Sequence, residues 1–518
     1  MKLKATIAFV CIAATAIIFS FLKKEKEQQA ADHAKTELEK QNASAQQKAN
    51  ISRTDQNRFK GDITIGLDNY LGYFPLRSPR LRNLMLNEGY KLEFLDDQAD
   101  YQKRSAALRN GELDFAVFTV DSYILNNAPK FPGQIVMVIS ESMGADAIVT
   151  TKDIKTINDL NEVTVTLNSP SHQLVKACTI DFGLDTLKQN IRPANGSEDA
   201  LQQLLDGQTK AAVLWEPDIS TALNDPRFKT LISTESTSKL IVDILVASDQ
   251  VVHQHPEKLN SLLTHYFPTL RYYEKNPEIL SRAIQQDSKL PAKATQRIID
   301  SISWQSLNQN ASLWFGIRSP RTPLAQFKII ETIDLTDDIL TKFGDFPSSP
   351  LPASGAFSLL SSKTIATLHA RQSDGQLITA ESDSFKRLSP HEWKSLDPVA
   401  SLRIDPIGFK RGTRELDSSG QESLKNIKNL LARYPHYRLR IEGHTSTKGD
   451  PEINRTLSQE RADAIRQHLV RNFNIPATRI LAQGIGSDKP LPRSESLSYR
   501  AWLSSLPRVE FHLLEEIY

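Results

Sequence analysis

The chain has 518 residues, a net charge of +2 at pH 7 and two cysteines. This length is too great for one hydrophobic core, so we expect two or three domains. The near balance of acidic and basic residues excludes a basic surface for nucleic acid, and two cysteines exclude a disulfide framework.

The first 22 residues indicate the compartment. The apolar run 5–22 is about as long as a helix that crosses a bilayer. A cleaved signal peptide is the alternative, but the small residues Ala14, Thr15 and Ala16 are followed by further apolar residues. We therefore expect a signal anchor over 1–22. Residues 23–57 hold almost no large apolar side chain and are expected to form a charged stalk.

Strand and helix patterns alternate from residue 62 to residue 118. The order strand, helix, strand, helix, strand predicts a parallel α/β sheet. A helix closed by a glycine and followed by a buried strand occurs at 107–118 and again at 204–215. This repetition predicts two α/β lobes of similar build with a cleft between them.

Five segments of this region resemble the type II periplasmic substrate-binding proteins. They are GYFPL at 72–76, NGELDFAVFTVD at 110–121, ESMGADAIV at 141–149, INDLNEVTVTLNSPSHQL at 157–174 and WEP at 215–217. The branch they resemble most binds nitrate, taurine, alkyl sulfonates and thiamine-precursor pyrimidines. The resemblance implies that residues 58–345 form two lobes joined by two crossing strands, for which 135–141 and 240–248 are the candidates, with a small molecule bound between them.

Ligand contacts in such folds come from loops at the carboxyl ends of strands. The candidates are Asn69, Tyr70, Tyr73, Thr119, Asp121, Ser142, Asp146, Ser169, Ser171, His172, Trp215 and Glu216. Ser169 and Ser171 precede a helix and offer hydroxyl and N–H groups to an anion, or they only cap that helix. Asp121 and Glu216 would repel an anion and favour an amine, so the ligand class stays open.

Residues 346–395 are expected to form a connector, because prolines and serines cluster at 347–355. The segment 396–518 then contains an alternating strand, the polar loop Gly443-His444-Thr445-Ser446 and an amphipathic helix. This loop and the series Asn454, Leu457-Ser458, Arg461-Ala462 resemble the signature of the OmpA-like peptidoglycan-binding domain. The resemblance implies a βαβαβ domain whose aspartate and arginine hold the ammonium and carboxylate of diaminopimelate in the peptidoglycan stem.

The sequence departs from this signature at two places. Ser446 stands where the family has its aspartate, and Leu506-Pro507-Arg508 keeps only the last arginine of the family's closing N-R-R. A hydroxyl cannot neutralise an ammonium, so we expect wall binding to be weaker by about 1.5–3 kcal/mol, with Glu442 or Asp450 as substitutes for the missing charge. The candidate peptidoglycan contacts are His444, Thr445, Ser446, Asn454, Arg461 and Arg508.

These patterns predict a chain of α/β and α+β class with a transmembrane helix, a two-lobe binding-protein fold and an OmpA-like domain. No H-x-x-x-H, C-x-x-C or Walker-type loop occurs, so we expect no enzyme, metal site or cofactor. Peptidoglycan lies outside the inner membrane, which places the bulk of the chain in the periplasm.

The function expected is an ABC-transporter-type solute-binding protein, anchored in the inner membrane and docked to peptidoglycan. Its partners would be a small molecule, the wall and a membrane transporter or envelope complex. The alternative is a structural adaptor that braces an inner-membrane complex against the wall, and an enzyme on the binding-protein fold is a third hypothesis.

Overall fold

A computed structural model describes residues 59–318, 325–371, 385–410, 413–494 and 497–516. The predicted anchor and stalk, 1–57, lie outside these ranges. None of the helices within them is long and apolar enough to cross a membrane.

The strands form three sheets. They are β1 (Gly61–Leu67), β2 (Tyr90–Asp96), β3 (Phe115–Thr119), β4 (Gly133–Ser142), β5 (Asp146–Thr151), β6 (Val163–Val165), β7 (Ile191–Pro193), β8 (Ala211–Trp215), β9 (Phe228–Ser233), β10 (Val242–Ser248), β11 (Ile302–Trp304), β12 (Asp397–Ser401), β13 (Arg438–His444), β14 (Ile480–Gly486) and β15 (Arg508–Glu515).

The helices cover these sheets and link the strands. They are α1 (Phe74–Arg77), α2 (Pro79–Glu88), α3 (Tyr101–Arg109), α4 (Val120–Asn127), α5 (Pro170–Phe182), α6 (Asp185–Gln189), α7 (Ser197–Leu205), α8 (Asp218–Ala222), α9 (Asp249–His253), α10 (Pro256–Lys275), α11 (Pro277–Ser288), α12 (Ala292–Asp300), α13 (Leu307–Gln309), α14 (Lys328–Phe343), α15 (Lys363–Arg371), α16 (Pro390–Lys394), α17 (Ser418–Arg433), α18 (Pro451–Phe473) and α19 (Tyr499–Ser505).

Two sheets build two lobes, as the sequence predicts. The first lobe has the strand order β11-β4-β10-β3-β1-β2, with β1 parallel to β2 and β3. The second has the order β7-β6-β8-β5-β9, with β6 parallel to β7 and β8. Gly111 and Gly207, which follow the two repeated helices, have φ of 77° and 72°. Both glycines thus adopt the left-handed conformation that ends a helix.

The chain crosses between the lobes at 143–145 and at 234–241. The predicted crossing segments 135–141 and 240–248 largely coincide with β4 and β10, which pair antiparallel inside the sheet of the first lobe. The crossings themselves therefore lie at the ends of these strands that face the second lobe. The two lobes and two crossings agree with the architecture implied by the resemblance.

Helix α14 packs against both lobes. Its Ile329, Ile333 and Leu340 are buried in a core cluster of the first lobe, whereas Ile339 belongs to the core of the second lobe. Its two sides thus bury apolar surface on separate lobes, which favours the lobes staying together.

The segment predicted as a connector also packs on the first lobe. Ala356 and Leu359 are buried in one of its core clusters, and Ile365 and Leu368 of α15 are buried in another. The first part of the connector is therefore held by apolar contacts and is not a free tether.

The C-terminal domain has the strand order β12-β15-β13-β14. The series β12, α17, β13, α18, β14 is the predicted βαβαβ order, and α19 and β15 follow it. Helix α18 lies close to the sheet, because a Cβ atom at Gly443 would come within 2.4 Å of the backbone oxygen of Ser458. A Cβ atom at Gly484 would come within 2.5 Å of the backbone nitrogen of Gln459.

A buried ion pair joins the C-terminal domain to the second lobe. Arg433, at the end of α17, pairs with Asp181 of α5, and their side chains are only 5% and 4% exposed. Tyr434 also donates a hydrogen bond to Asp181, with Oη 2.8 Å from Oδ2. The rings of Phe182 and Tyr434 lie 5.3 Å apart within one apolar cluster that spans both domains. The second lobe and the C-terminal domain therefore form one packed unit.

This ion pair predicts a large effect of one substitution. In Asp181→Ala the buried guanidinium of Arg433 loses its counter-charge, which should destabilise the packed unit by about 3–5 kcal/mol. Thermal unfolding and limited proteolysis between the domains measure this loss.

The exposed pair between Arg403 and Asp185, 2.8 Å apart, provides the matched control. Asp185→Ala should cost less than about 1 kcal/mol, because solvent screens an exposed pair. Equal losses in Asp181→Ala and Asp185→Ala would contradict the structural importance of the buried pair.

Candidate functional site

Three carboxylates lie buried where the two lobes meet. Asp121 belongs to the first turn of α4, Asp243 lies in β10, and Asp146 begins β5 of the second lobe. Their exposed fractions are 1%, 2% and 7%. We call Asp121, Asp146 and Asp243 the interlobe carboxylates.

Asp146 is held by hydroxyl groups. Ser171 donates to Oδ1 at 2.7 Å and Ser142 donates to Oδ2 at 3.1 Å. The Ser142 hydroxyl is also 2.8 Å from the hydroxyl of Thr234, which lies in the other crossing segment. The structure thus brings together three predicted site residues, Ser142, Asp146 and Ser171.

Asp243 occupies the corresponding place in the first lobe. The Tyr73 hydroxyl donates to its Oδ1 at 2.8 Å, and the Ser140 hydroxyl donates to its Oδ2 at 2.7 Å. The Tyr70 ring packs edge-on against the Tyr73 ring, with centroids 5.2 Å apart. Sequence reasoning missed Asp243, although a single acidic residue within the apolar strand 242–248 was a usable signal.

Asp121 differs from the other two because neither of its carboxylate oxygens has a hydrogen-bond partner within the described ranges. The charge of Lys176 in α5 acts on it and favours the ionised form. The Lys176 ammonium itself pairs with Asp345, 2.9 Å away. No lysine, arginine or histidine of the described chain forms an ion pair with any interlobe carboxylate.

Burial raises the pKa of all three carboxyl groups. The pKa of Asp146 rises to about 6 and that of Asp243 to about 7, because desolvation disfavours their charged forms. The negative charges of Asp68 and Asp146 raise the pKa of Asp243 further. A cation placed among these groups would stabilise their ionised forms.

Four other predicted ligand residues have structural partners. Ser169 caps α5 by accepting a hydrogen bond from the backbone of His172, and Thr119 bonds with Ser122 at the start of α4. Glu216 accepts from the hydroxyl of Ser220 at 2.9 Å. Asn69 is exposed and donates to Asp96 at 2.8 Å.

His172 and Trp215 also lie in the second lobe. The His172 ring is edge-on to Phe343 at the end of α14, and burial followed by the charge of Lys176 lowers its pKa to about 3. Trp215 ends β8 half-buried and pairs in register with Asp146. His172 is therefore neutral at physiological pH and cannot attract an anion by its charge.

The signature loop of the C-terminal domain is closed by Asn454. Its amide donates to the backbone oxygens of Lys448 at 3.0 Å and of Ser446 at 3.5 Å. Thr445 is buried, and its backbone N–H donates to Gly486 in the neighbouring strand. Ser446 is half-buried and accepts only a 3.4 Å contact from the backbone N–H of Lys448.

The two predicted arginines differ in how strongly they are held. Arg461 lies half-buried, with its guanidinium 5.1 Å from the ring centroid of Phe409, and burial lowers its pKa. Arg508 is bound to Glu510 at 2.6 Å and to the backbone oxygen of Leu506. Arg461 is thus the arginine more readily available to a carboxylate ligand.

The two substitutes for the missing loop charge are already engaged. Asp450 caps α18 by accepting from the backbone N–H groups of Glu452 and Ile453. Glu442 is buried and pairs with Arg440 at 2.9 Å. His444 is also buried, with 2% exposure. Neither acidic group is therefore a free replacement for the family aspartate.

Comparison with known proteins identifies the C-terminal segment. Residues 408–501 match the model of the OmpA family. Outer membrane protein Omp38 of Acinetobacter baumannii is 33% identical over 95 residues, which cover 18% of this chain and 27% of that protein. The peptidoglycan-associated lipoprotein of Agrobacterium fabrum is 31% identical over 94 residues, covering 18% of this chain and 52% of that protein. The chain thus spans between about a quarter and about half of these relatives.

Two solved structures are similar to different parts of the chain. The alkanesulfonate-binding protein SsuA from Xanthomonas axonopodis pv. citri, bound to MOPS, has 16% identity and a TM-score of 0.46, covering 57% of this chain and 98% of that one. The peptidoglycan-associated lipoprotein from Burkholderia pseudomallei has 21% identity and a TM-score of 0.19, covering 22% of this chain and 91% of that one.

The raised pKa of Asp243 predicts a pH-dependent gain of stability in Asp243→Asn. The folded protein holds this proton up to about pH 7, whereas the ordinary pKa of the group is 3.8. Wild type therefore loses stability as pH rises through this window, and an amide does not. We expect the variant to be more stable than wild type by about 2–4 kcal/mol near pH 8 and to differ little near pH 4.

Thermal unfolding at a series of pH values measures this difference. Asp62→Asn, at an exposed position of β1, is the control and should parallel wild type. A difference between Asp243→Asn and wild type that stays constant from about pH 4 to about pH 8 would contradict the assignment.

Proposed function

We propose that this chain is a cell-envelope binding protein whose two lobes close on a small amine and whose C-terminal domain docks to peptidoglycan. The observation that carries the proposal is the burial of Asp121, Asp146 and Asp243 together, without a basic partner in the described part of the chain. An ammonium group is the ligand chemistry that best compensates them.

The cost of burial explains the preference for a cation. A carboxylate removed from water is unfavourable unless it is paired or protonated. The Tyr70 and Tyr73 rings beside Asp243 add aromatic faces, which attract ammonium groups. A sulfonate or nitrate would instead meet acidic groups from both lobes. An amine is therefore the favoured member of the ligand classes that the sequence leaves open.

The distribution of the carboxylates between lobes supplies a mechanism. Asp121 and Asp243 belong to the first lobe and Asp146 to the second, so a single ammonium contacts both lobes only when they are close together. Such a ligand stabilises the closed arrangement over an open one by its extra contacts. The movement would take place at the crossings 143–145 and 234–241, where the chain passes between the lobes.

Wall docking is the second part of the proposal. Arg461 retains the guanidinium that suits a carboxylate, whereas Ser446 cannot pair with an ammonium. The similarity to proteins named peptidoglycan-associated lipoproteins supports wall binding as the role of this domain. We expect that binding to be one to two orders of magnitude weaker than with an aspartate in the loop.

Anchoring would complete the arrangement. In this proposal residues 1–22 span the inner membrane, 23–57 form the stalk, and the remaining chain lies in the periplasm. A receptor held between membrane and wall has a high effective concentration near a transporter or another membrane partner.

A structural adaptor is the second candidate function, and specific contacts favour it. The Tyr73 to Asp243 and Ser171 to Asp146 hydrogen bonds fill part of the cleft with the chain's own groups. Helix α14 also packs across both lobes, which opposes their opening. In this alternative the lobes form a platform for another envelope protein.

A ligand panel tests the receptor proposal. The full chain should gain thermal stability from one or more small amines, and sulfonates and nitrate should have no effect. Asp146→Asn should lower the affinity for the active amine by at least about tenfold, because a hydrogen bond to a charged group is worth about 1.5–3 kcal/mol. Asp62→Asn should bind like wild type.

The outcomes separate the hypotheses. Stabilisation by sulfonates and not by amines would overturn the ligand class, whereas no response to any member of the panel would favour the adaptor. Equal affinities of wild type and Asp146→Asn for an active amine would place its site elsewhere.

The wall-docking proposal predicts a gain of function in Ser446→Asp. The new carboxylate can pair with the ammonium of diaminopimelate, so sedimentation with purified sacculi should show binding about 10- to 100-fold tighter than wild type. Thr447→Asp, which adds the same charge at the next, exposed position, is the control and should have little effect.

Arg461→Ala in the Ser446→Asp background should remove most of the gain, since the carboxylate of the ligand then loses its partner. An equal gain in Thr447→Asp would attribute the effect to charge alone and would refute the assignment of this loop.

A further inference from the structure

A second polar cluster lies on the C-terminal sheet, away from both proposed ligand sites. The pattern Glu-X-His occurs in two neighbouring strands, as Glu442-Gly443-His444 in β13 and as Glu510-Phe511-His512 in β15. The strands are antiparallel, and Glu442 lies directly opposite Glu510. Because side chains alternate along a strand, both glutamates and both histidines lie on one face of the sheet.

The ligand atoms of this cluster lie close together. The Nε2 atom of His444 is 3.5 Å from Oε2 of Glu510 and 4.0 Å from Oε2 of Glu442. The Nε2 atom of His512 is 3.6 Å and 3.9 Å from the same two oxygens. One oxygen of each glutamate thus faces both histidines.

The imidazole nitrogens that face these oxygens lack hydrogen-bond partners. The His444 side chain is 1% exposed, and neither of its ring nitrogens has a hydrogen-bond partner among the described residues. Nε2 of His512 is likewise without one, whereas its Nδ1 lies 2.9 Å from the hydroxyl of Ser401. A contact at Nδ1 orients the ring and leaves Nε2 for a ligand, as in many metal-bound histidines.

Neighbouring arginines orient the two glutamates. Arg440 pairs with Oε1 of Glu442 at 2.9 Å, and Arg508 pairs with Oε1 of Glu510 at 2.6 Å. Each Oε2 atom is left towards the histidines. Lys489 lies 3.4 Å from Oε2 of Glu442, but its side chain is 64% exposed and can move into solvent.

We propose that Glu442, His444, Glu510 and His512 form a binding site for a divalent transition metal of the zinc type. Zinc ligands at about 2.0–2.2 Å in a tetrahedron lie about 3.4 Å from one another. The four nitrogen–oxygen distances of 3.5–4.0 Å need only a small contraction to reach this value. Imidazole nitrogens favour zinc over magnesium and calcium, which prefer oxygen ligands.

The position of the site gives the metal a structural role. His444 is followed directly by Thr445 and Ser446 of the signature loop, and Arg508 lies opposite His444 across the strand pair. A metal bound at these side chains joins β13 to β15 and fixes the base of the loop. The site is independent of the amine proposed for the lobes and of peptidoglycan.

Equilibrium dialysis of the full chain, after removal of metals by a chelator, tests the proposal. We expect about one zinc ion per chain, retained in excess magnesium, and a tetrahedral absorption spectrum when cobalt replaces zinc. His512→Gln and Glu510→Gln should each lower zinc affinity by at least about tenfold, because each removes one ligand. His436→Gln, at an exposed position of the same domain, is the control and should leave affinity unchanged.

Circular dichroism of each variant establishes that it is folded. Glu510 is 34% exposed in its side chain, so Glu510→Gln provides a test if His512→Gln unfolds. Less than stoichiometric zinc at micromolar concentration would overturn the proposal. The same affinity in wild type and in the folded ligand variants would also overturn it, by assigning the ion to other surface groups.

Discussion

The buried pairing of Asp181 with Arg433 decides how the parts of this protein act together. Both side chains are removed from water, so their charges depend on one another and on the hydroxyl of Tyr434. The apolar cluster around them is continuous from the second lobe into the C-terminal domain. The domain that carries the wall signature is thereby joined rigidly to one lobe, and any opening of the cleft moves the first lobe relative to this unit.

This constraint gives the interlobe carboxylates their significance. Asp146 sits on the lobe that is joined to the C-terminal domain, whereas Asp121 and Asp243 sit on the lobe that would move. Protonation and an ammonium ligand are two ways of relieving the same repulsion, since either removes unpaired negative charge from the closed cleft. The hydroxyls of Tyr73, Ser142 and Ser171 lower the cost of burial without supplying a positive charge. Ligand binding in the proposed receptor is therefore coupled to pH in the range where these carboxyl groups ionise.

The C-terminal domain uses the two faces of its sheet differently. Leu439, Ile441 and Phe511 point into the apolar core, while Glu442, His444, Glu510 and His512 occupy the opposite face. Wall recognition is proposed for the loop that follows β13, and metal binding for the side chains along it. A single strand thus carries the core packing, the base of the loop and half of the proposed metal site.

The sequence by itself determined the repeated local units and the signature loop. Gly111 and Gly207 end equivalent helices because a left-handed residue is required there, and this requirement is visible without tertiary structure. Likewise Gly443, Asn454 and Arg461 identify the loop and its helix by spacing alone. The tertiary structure decided the pairing of Asp181 with Arg433, the place of Asp243 beside Tyr73, and the meeting of the two Glu-X-His patterns. These contacts join residues far apart in the chain, and their charges and hydrogen bonds depend on burial that only the packed lobes and sheets create.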